Sequence, residues 1–128
     1  MKNWIFIVAG LAALGVTLLR TFAGGAADLA PLLAALEGNS LSGVVLINWH
    51  ALNVILGVLS LSLLWASRLS RSSQVVIAAM STLSFGAVWL IFMTVTAIKT
   101  GSPFTFPPFI PLGITTFLCA AAAWSARK

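Results

Sequence analysis

Residues 75–98 read VVIAAMSTLSFGAVWLIFMTVTAI and contain no Asp, Glu, Lys or Arg. At about 1.5 Å of rise per residue, an α-helix over this stretch exceeds the roughly 30 Å hydrocarbon core of a bilayer. The stretch is apolar on every side, whereas a membrane-spanning β-strand alternates apolar and polar residues. The sequence therefore predicts a transmembrane α-helix here.

Three more apolar stretches give the same prediction, and the expected spans are approximately residues 4–23, 43–67, 75–98 and 109–126. Of the 128 residues, 60% are hydrophobic and only 7% are charged. A soluble domain carries about 25% charged residues, so a soluble fold is excluded. We expect an all-α protein in which residues 1–128 form one transmembrane domain, an antiparallel four-helix bundle in the lipid bilayer.

The long connection after the first span, residues 24–42, contains helix signals of its own. Asp28 is a favourable residue at the start of a helix, Pro31 is well tolerated in the first helical turn, and Gly38 is typical of a helix end. Four leucines fall at helical spacing on one face: Leu29, Leu32, Leu33 and Leu36. We expect a short amphipathic helix in this first outer loop. The first span reaches about residue 23 if Arg20 extends its guanidinium to the lipid headgroups.

The positive charges predict the orientation. Five lie on one side of the four spans: Lys2, Arg68, Arg71, Arg127 and Lys128. The other side holds Arg20 and Lys99 together with both carboxylates, Asp28 and Glu37. Because cytoplasmic loops carry the Lys and Arg excess, we expect both termini to be cytoplasmic, with the protein in a bacterial inner membrane.

Polar residues within the second span form the candidate binding site. His50, Asn53, Gly57 and Ser60 are spaced so that they follow one another along a helix face, which we expect to point inward. Aromatic residues on the second and third spans are candidates to line a pocket beside this face: Trp49, Trp89, Phe85 and Phe92.

Three interpretations of His50 are open. His50 and Asn53 can form hydrogen bonds to other helices and so specify how the helices pack. His50 can contact the polar head of an apolar ligand such as a quinone or lipid. It can also be an axial ligand to the metal of a haem or chlorophyll-type pigment, although a second histidine would have to come from another chain. The sequence indicates no other metal site.

Catalysis has little support, because the two carboxylates lie in the loop and Cys119, the only cysteine, is surrounded by alanines. The chain is similar in length and number of spans to the small multidrug transporters. Their acidic residue in the first helix is missing, since Leu14, Gly15 and Val16 supply no carboxylate. A proton-coupled carrier of that type is therefore disfavoured.

We expect a non-enzymatic accessory or structural subunit that packs in the membrane against other subunits or copies of itself. The alternative is a binding protein for a quinone, lipid or tetrapyrrole pigment that uses His50 and Asn53. A third option is a small transporter or channel for a neutral solute. Nucleic acid is not an expected partner, because no basic run interleaved with aromatic residues exists.

Overall fold

The computed structural model describes residues 4–104 and 109–127, and throughout these ranges the regular structure is helical. Lys2 and Lys128, which enter the prediction of orientation, lie outside the described residues. The helices are α1 (Trp4–Leu19), a π-helical segment (Arg20–Leu29), α2 (Ala30–Ala35), α3 (Leu41–Ala66), α4 (Arg71–Thr100) and α5 (Phe109–Arg127).

Within the described residues, four helices are long and apolar enough to cross a membrane. The first consists of α1, the π segment and α2, which follow one another without a break over Trp4–Ala35. The other three are α3, α4 and α5. The prediction of an all-α protein with four long apolar helices is therefore confirmed.

The prediction for the first loop needs correction. The first helix does not end near residue 23, because i to i+5 hydrogen bonding continues it, as in the N–H of Ala30 donating to the carbonyl of Gly25. Asp28 consequently lies inside the π segment and does not cap a separate helix. The chain turns only at Gly38, whose φ of 78° favours glycine. In the leucine stripe, only Leu29 is buried.

The long helices pack in a ring, with α1 against α3 and α5, and α4 against the same two helices. Successive helices run in opposite directions, so α1 begins and α5 ends at one end of the bundle. We call this the terminal end, and the opposite one the far end. The contact between α4 and α5 is the most extensive. Gly86 and Gly113 help these two helices approach, because a Cβ would lie only 3.3 Å from Thr116 at the first and 3.2 Å from Trp89 at the second.

The core is built from small residues and a few large ones. Phe6, Leu56, Leu63 and Phe85 are almost completely buried, among alanines and Cys119. Large apolar side chains are exposed on the outside of all the long helices, including Leu11, Val58, Leu83 and Phe117. Apolar residues thus cover both the buried and the exposed faces of the long helices, which indicates an integral membrane protein.

Candidate functional site: an arginine and asparagine pair

Arg20, the first residue of the π segment, is turned into the bundle and half-buried. Its Nε donates a hydrogen bond of 3.0 Å to Oδ1 of Asn53 on α3. Its guanidinium therefore lies against α3, which differs from the extension to the lipid headgroups on which the predicted end of the first span depends. Its position next to an amide acceptor explains the difference, because a cation in an apolar environment is stabilised by a partner within reach.

Trp49 forms a wall of this site. The guanidinium carbon of Arg20 lies 4.4 Å from the centroid of the Trp49 ring, which is a cation–π geometry. Gly24 makes the approach of α3 possible, because a Cβ there would lie 3.2 Å from Cη2 of Trp49. The same Cβ would lie 3.6 Å from Oδ2 of Asp28. Asp28 also interacts electrostatically with Arg20, so both charges of the first long helix lie beside Trp49.

The amide of Asn53 is only partly satisfied. A guanidinium has donors and no acceptor, so Oδ1 of Asn53 must face Arg20 and Nδ2 must point elsewhere. Asn53 is 7% exposed, and its Nδ2 is buried without a hydrogen-bond partner in the described part of the chain. A buried donor without a partner costs about 1–3 kcal/mol. The site therefore holds one buried donor, Nδ2 of Asn53, without a hydrogen-bond partner among the described residues.

His50 does not share this environment. Its side chain is exposed, whereas Asn53 and Ser60 are buried and Gly57 is half-buried. The prediction that the whole stripe points inward is therefore wrong for His50. Residues three apart on an α-helix differ by about 60° around its axis, which is enough to move His50 from the buried face to the exposed one.

Of the predicted aromatic residues of α4, Trp89 packs against α5 and not at the Arg20–Asn53 pair. Trp89 packs on Gly113 and contacts the edge of Phe117, at 6.0 Å between ring centroids. Its indole Nε1 is buried without a partner among the described residues. Phe85 is completely buried in the core, and Phe92 is half-buried. Of the predicted site residues, the structure thus brings together only Trp49 and Asn53.

Arg20, Gly24 and Asp28 are the site residues that the sequence reasoning missed. The sequence could have identified Arg20, because a charge within an apolar run is by itself a reason to suspect function. Asp28 and Gly24 carry no such signal, since an Asp and a glycine pair normally indicate a loop.

A second arginine and carboxamide lie at the terminal end. Arg71 donates from Nε to the carbonyl of Ala126 at 2.7 Å. Gln74 donates from Nε2 to the carbonyls of Ala66 at 3.0 Å and Leu69 at 3.3 Å. These bonds give side-chain donors to carbonyls at or just beyond the ends of α5 and α3, where helical N–H partners run out. The carbonyl of Ala66 also accepts from the N–H of Leu69, at 3.0 Å.

The Arg20–Asn53 site can bind acceptor oxygens, because Arg20 and the free side of Asn53 present donors only. In the part of the chain that the structure describes, no three His, Cys, Asp or Glu side chains group together in a way that could hold a metal ion. Comparisons of the chain with protein-family models, curated proteins and solved structures give no match.

Proposed function

We propose that the protein is a non-enzymatic subunit of a membrane assembly, and that its partners are other membrane proteins or further copies of itself. The observation that carries the proposal is the exposed apolar surface on all four long helices, combined with very little chain outside them. Within residues 4–104 and 109–127, these helix faces are therefore the main surface offered to a partner.

We further propose that it lies in a bacterial inner membrane with the terminal end cytoplasmic. Three arginines lie at this end: Arg68, Arg71 and Arg127. Arg20 lies toward the far end, where it donates a hydrogen bond to Asn53. Three exposed tryptophans mark the terminal end: Trp4, Trp65 and Trp124. Tryptophan prefers the membrane interface on either side, so these residues support placing this end at a membrane surface. Loops rich in Lys and Arg stay in the cytoplasm, so the arginines support the cytoplasmic side.

Reporter fusions test the orientation. A reporter that works only in the cytoplasm should be active after Lys128 or when inserted near Ser72, in the first turn of α4, and inactive between Glu37 and Ser40. The reverse pattern would contradict the proposed orientation.

Photo-crosslinking in intact membranes tests the subunit proposal. A photoreactive amino acid at exposed positions such as Val58 and Leu83 should give one defined protein adduct from some helix faces. The matched control is the same amino acid at Ser72, outside the apolar surface. If no position on any of the four helices gives a protein adduct, the subunit proposal is wrong.

Binding of a quinone, lipid or tetrapyrrole pigment is our second proposal, and it is supported by the unpartnered Nδ2 of Asn53. The exposed His50 gives no support to an inward-facing ligand site. Asn53 and Trp49, which lie together with Arg20, are better candidates.

A further inference from the structure

We propose that Arg20, Asn53 and Asp28 bind the headgroup of a phospholipid that carries both a phosphate and a primary ammonium group, as in phosphatidylethanolamine. This inference gives a chemical class to the second proposal above, and it is independent of the subunit proposal. The phosphate binds Arg20 and Asn53, and the ammonium group binds the carboxylate of Asp28.

The donors of the site fit a phosphate. Arg20 uses Nε for Asn53, and its two terminal nitrogens have no hydrogen-bond partner in the described residues. The Nδ2 of Asn53 also has none, and because it is buried a headgroup oxygen reaches it only when the side chains that cover it move aside. A guanidinium binds oxyanions with two parallel hydrogen bonds, and a phosphate has further oxygens to accept from an amide. A phosphate would therefore satisfy donors that the protein leaves unsatisfied.

The charges of the site fit a zwitterion. Asp28 is the charged group that acts on Arg20, yet no ion pair with N and O within 4.0 Å joins them. A positive and a negative side chain thus lie near one wall, Trp49, without direct contact. A purely anionic ligand would add a negative charge beside Asp28. A headgroup with opposite charges complements both side chains.

The depth of the site fits a lipid of the far leaflet. If the tryptophans of the terminal end mark one edge of the hydrocarbon, the 16 residues of α1 reach about 24 Å across it. Arg20 then lies just inside the opposite edge of a core of roughly 30 Å. Asp28 lies further along the helix, toward the water. The phosphate would thus lie deeper than the ammonium group, as it does in a bilayer lipid.

The surroundings favour a lipid over a free anion. Large apolar side chains next in sequence to the site are exposed, including Phe22 at 72% and Val54 at 64%. Such side chains are suited to contact acyl chains, whereas an aqueous phosphate would have to leave water for this depth. The site therefore matches a ligand with a zwitterionic head and apolar tails.

Native mass spectrometry of the full chain tests the proposal. The detergent-solubilised protein would be mixed with phosphatidylethanolamine, phosphatidylglycerol or phosphatidylcholine with identical acyl chains. We expect phosphatidylethanolamine to be retained most. Phosphatidylcholine has the phosphate but no N–H donor for Asp28, and phosphatidylglycerol has no cation. Equal retention of all three lipids would contradict the proposal.

Substitutions test whether Arg20 binds the phosphate and Asp28 binds the ammonium group. Arg20→Gln should lower retention of phosphatidylethanolamine about tenfold, corresponding to about 1.4 kcal/mol for a lost charge-assisted contact. Asp28→Asn should remove the preference for phosphatidylethanolamine over phosphatidylglycerol. The matched control is Arg68→Gln, because Arg68 also lies over a tryptophan, 5.4 Å from the ring of Trp65. This control should leave the preference unchanged.

A second variant keeps the test decisive if Arg20→Gln fails to fold. Asn53→Asp retains an acceptor for Arg20 but replaces the free donor with a charge that repels phosphate. We expect a folded protein, shown by wild-type circular dichroism, that retains about tenfold less phosphatidylethanolamine. Unchanged retention by this variant would overturn the proposal. Displacement of the lipid by millimolar inorganic phosphate would also overturn it, because it would show a site for aqueous anions.

Discussion

The two ends of the bundle each hold an arginine and a carboxamide, but they use them differently. At the terminal end, Arg71 and Gln74 donate to backbone carbonyls at or just beyond the ends of α5 and α3. At the far end, Arg20 and Asn53 bind each other and leave donors without a partner. Polar groups matched to backbone carbonyls serve the fold, whereas the donors left over at the far end are the feature that our lipid proposal accounts for.

The largest expected effect is a loss of stability where the first long helix and α3 pack closely. A Cβ at Gly10 would lie 2.7 Å from the Leu64 side chain and 2.9 Å from its backbone nitrogen. Because backbone cannot easily move away, Gly10→Ala should lower the free energy of unfolding by about 2–3 kcal/mol. Thermal unfolding in detergent would measure the loss.

Two matched substitutions sharpen this prediction. Gly24→Ala meets only side-chain atoms of Trp49 and Asp28, at 3.2 Å or more, so its loss should be smaller. Gly15 has nothing within 4 Å of its Cβ position, and Gly15→Ala should stabilise the helix by about 0.5–1 kcal/mol. A loss for Gly15→Ala as large as that for Gly10→Ala would show that steric contact is not the cause.

A smaller loss is expected from Gln74→Leu, which tests the structural role of the terminal end. The substitution leaves the carbonyls of Ala66 and Leu69 without their side-chain donor. We expect the free energy of unfolding to fall by about 1–2 kcal/mol. Retention of phosphatidylethanolamine, measured on the folded fraction, should not change. A selective loss of lipid with unchanged stability would reverse the roles that we assign to the two ends.

The smallest effect is expected from His50→Gln. An exposed side chain with no contact in the core should change the free energy of unfolding by less than about 0.5 kcal/mol. Lipid retention should also stay at the wild-type value, unlike that of Asn53→Asp. Loss of a bound molecule on this substitution would restore His50 as a ligand residue and place the site outside the core.

The long helices could be predicted from the sequence because apolar length alone decides whether a segment spans a bilayer. Residues 43–67 were expected and Leu41–Ala66 is observed, and residues 109–126 correspond to Phe109–Arg127. The end of the first helix could not be predicted in this way. Asp28 and the neighbouring glycines resemble a loop in sequence, whereas the π segment keeps them helical by packing against α3.

The site could be predicted only in part, because its contacts connect distant positions. Asn53 and Trp49 were found from polar and aromatic residues in an apolar run, but Arg20 bonds a residue 33 positions away. Helical spacing also could not show that Asn53 is buried and His50 is exposed, since both lie on neighbouring parts of one helix face. Which of them is buried depends on how α3 rotates against its neighbours, and that rotation comes from tertiary packing.

The unequal packing of the ring bears on how the protein assembles. Contacts between α1 and α3 and between α4 and α5 are more extensive than those between α1 and α5 or α3 and α4. The bundle is thus two helical hairpins joined at residues 67–70. During synthesis the first hairpin is complete before the second, and it already contains both Arg20 and Asn53. The charge that costs most to insert into lipid therefore has its partner within the first half of the chain.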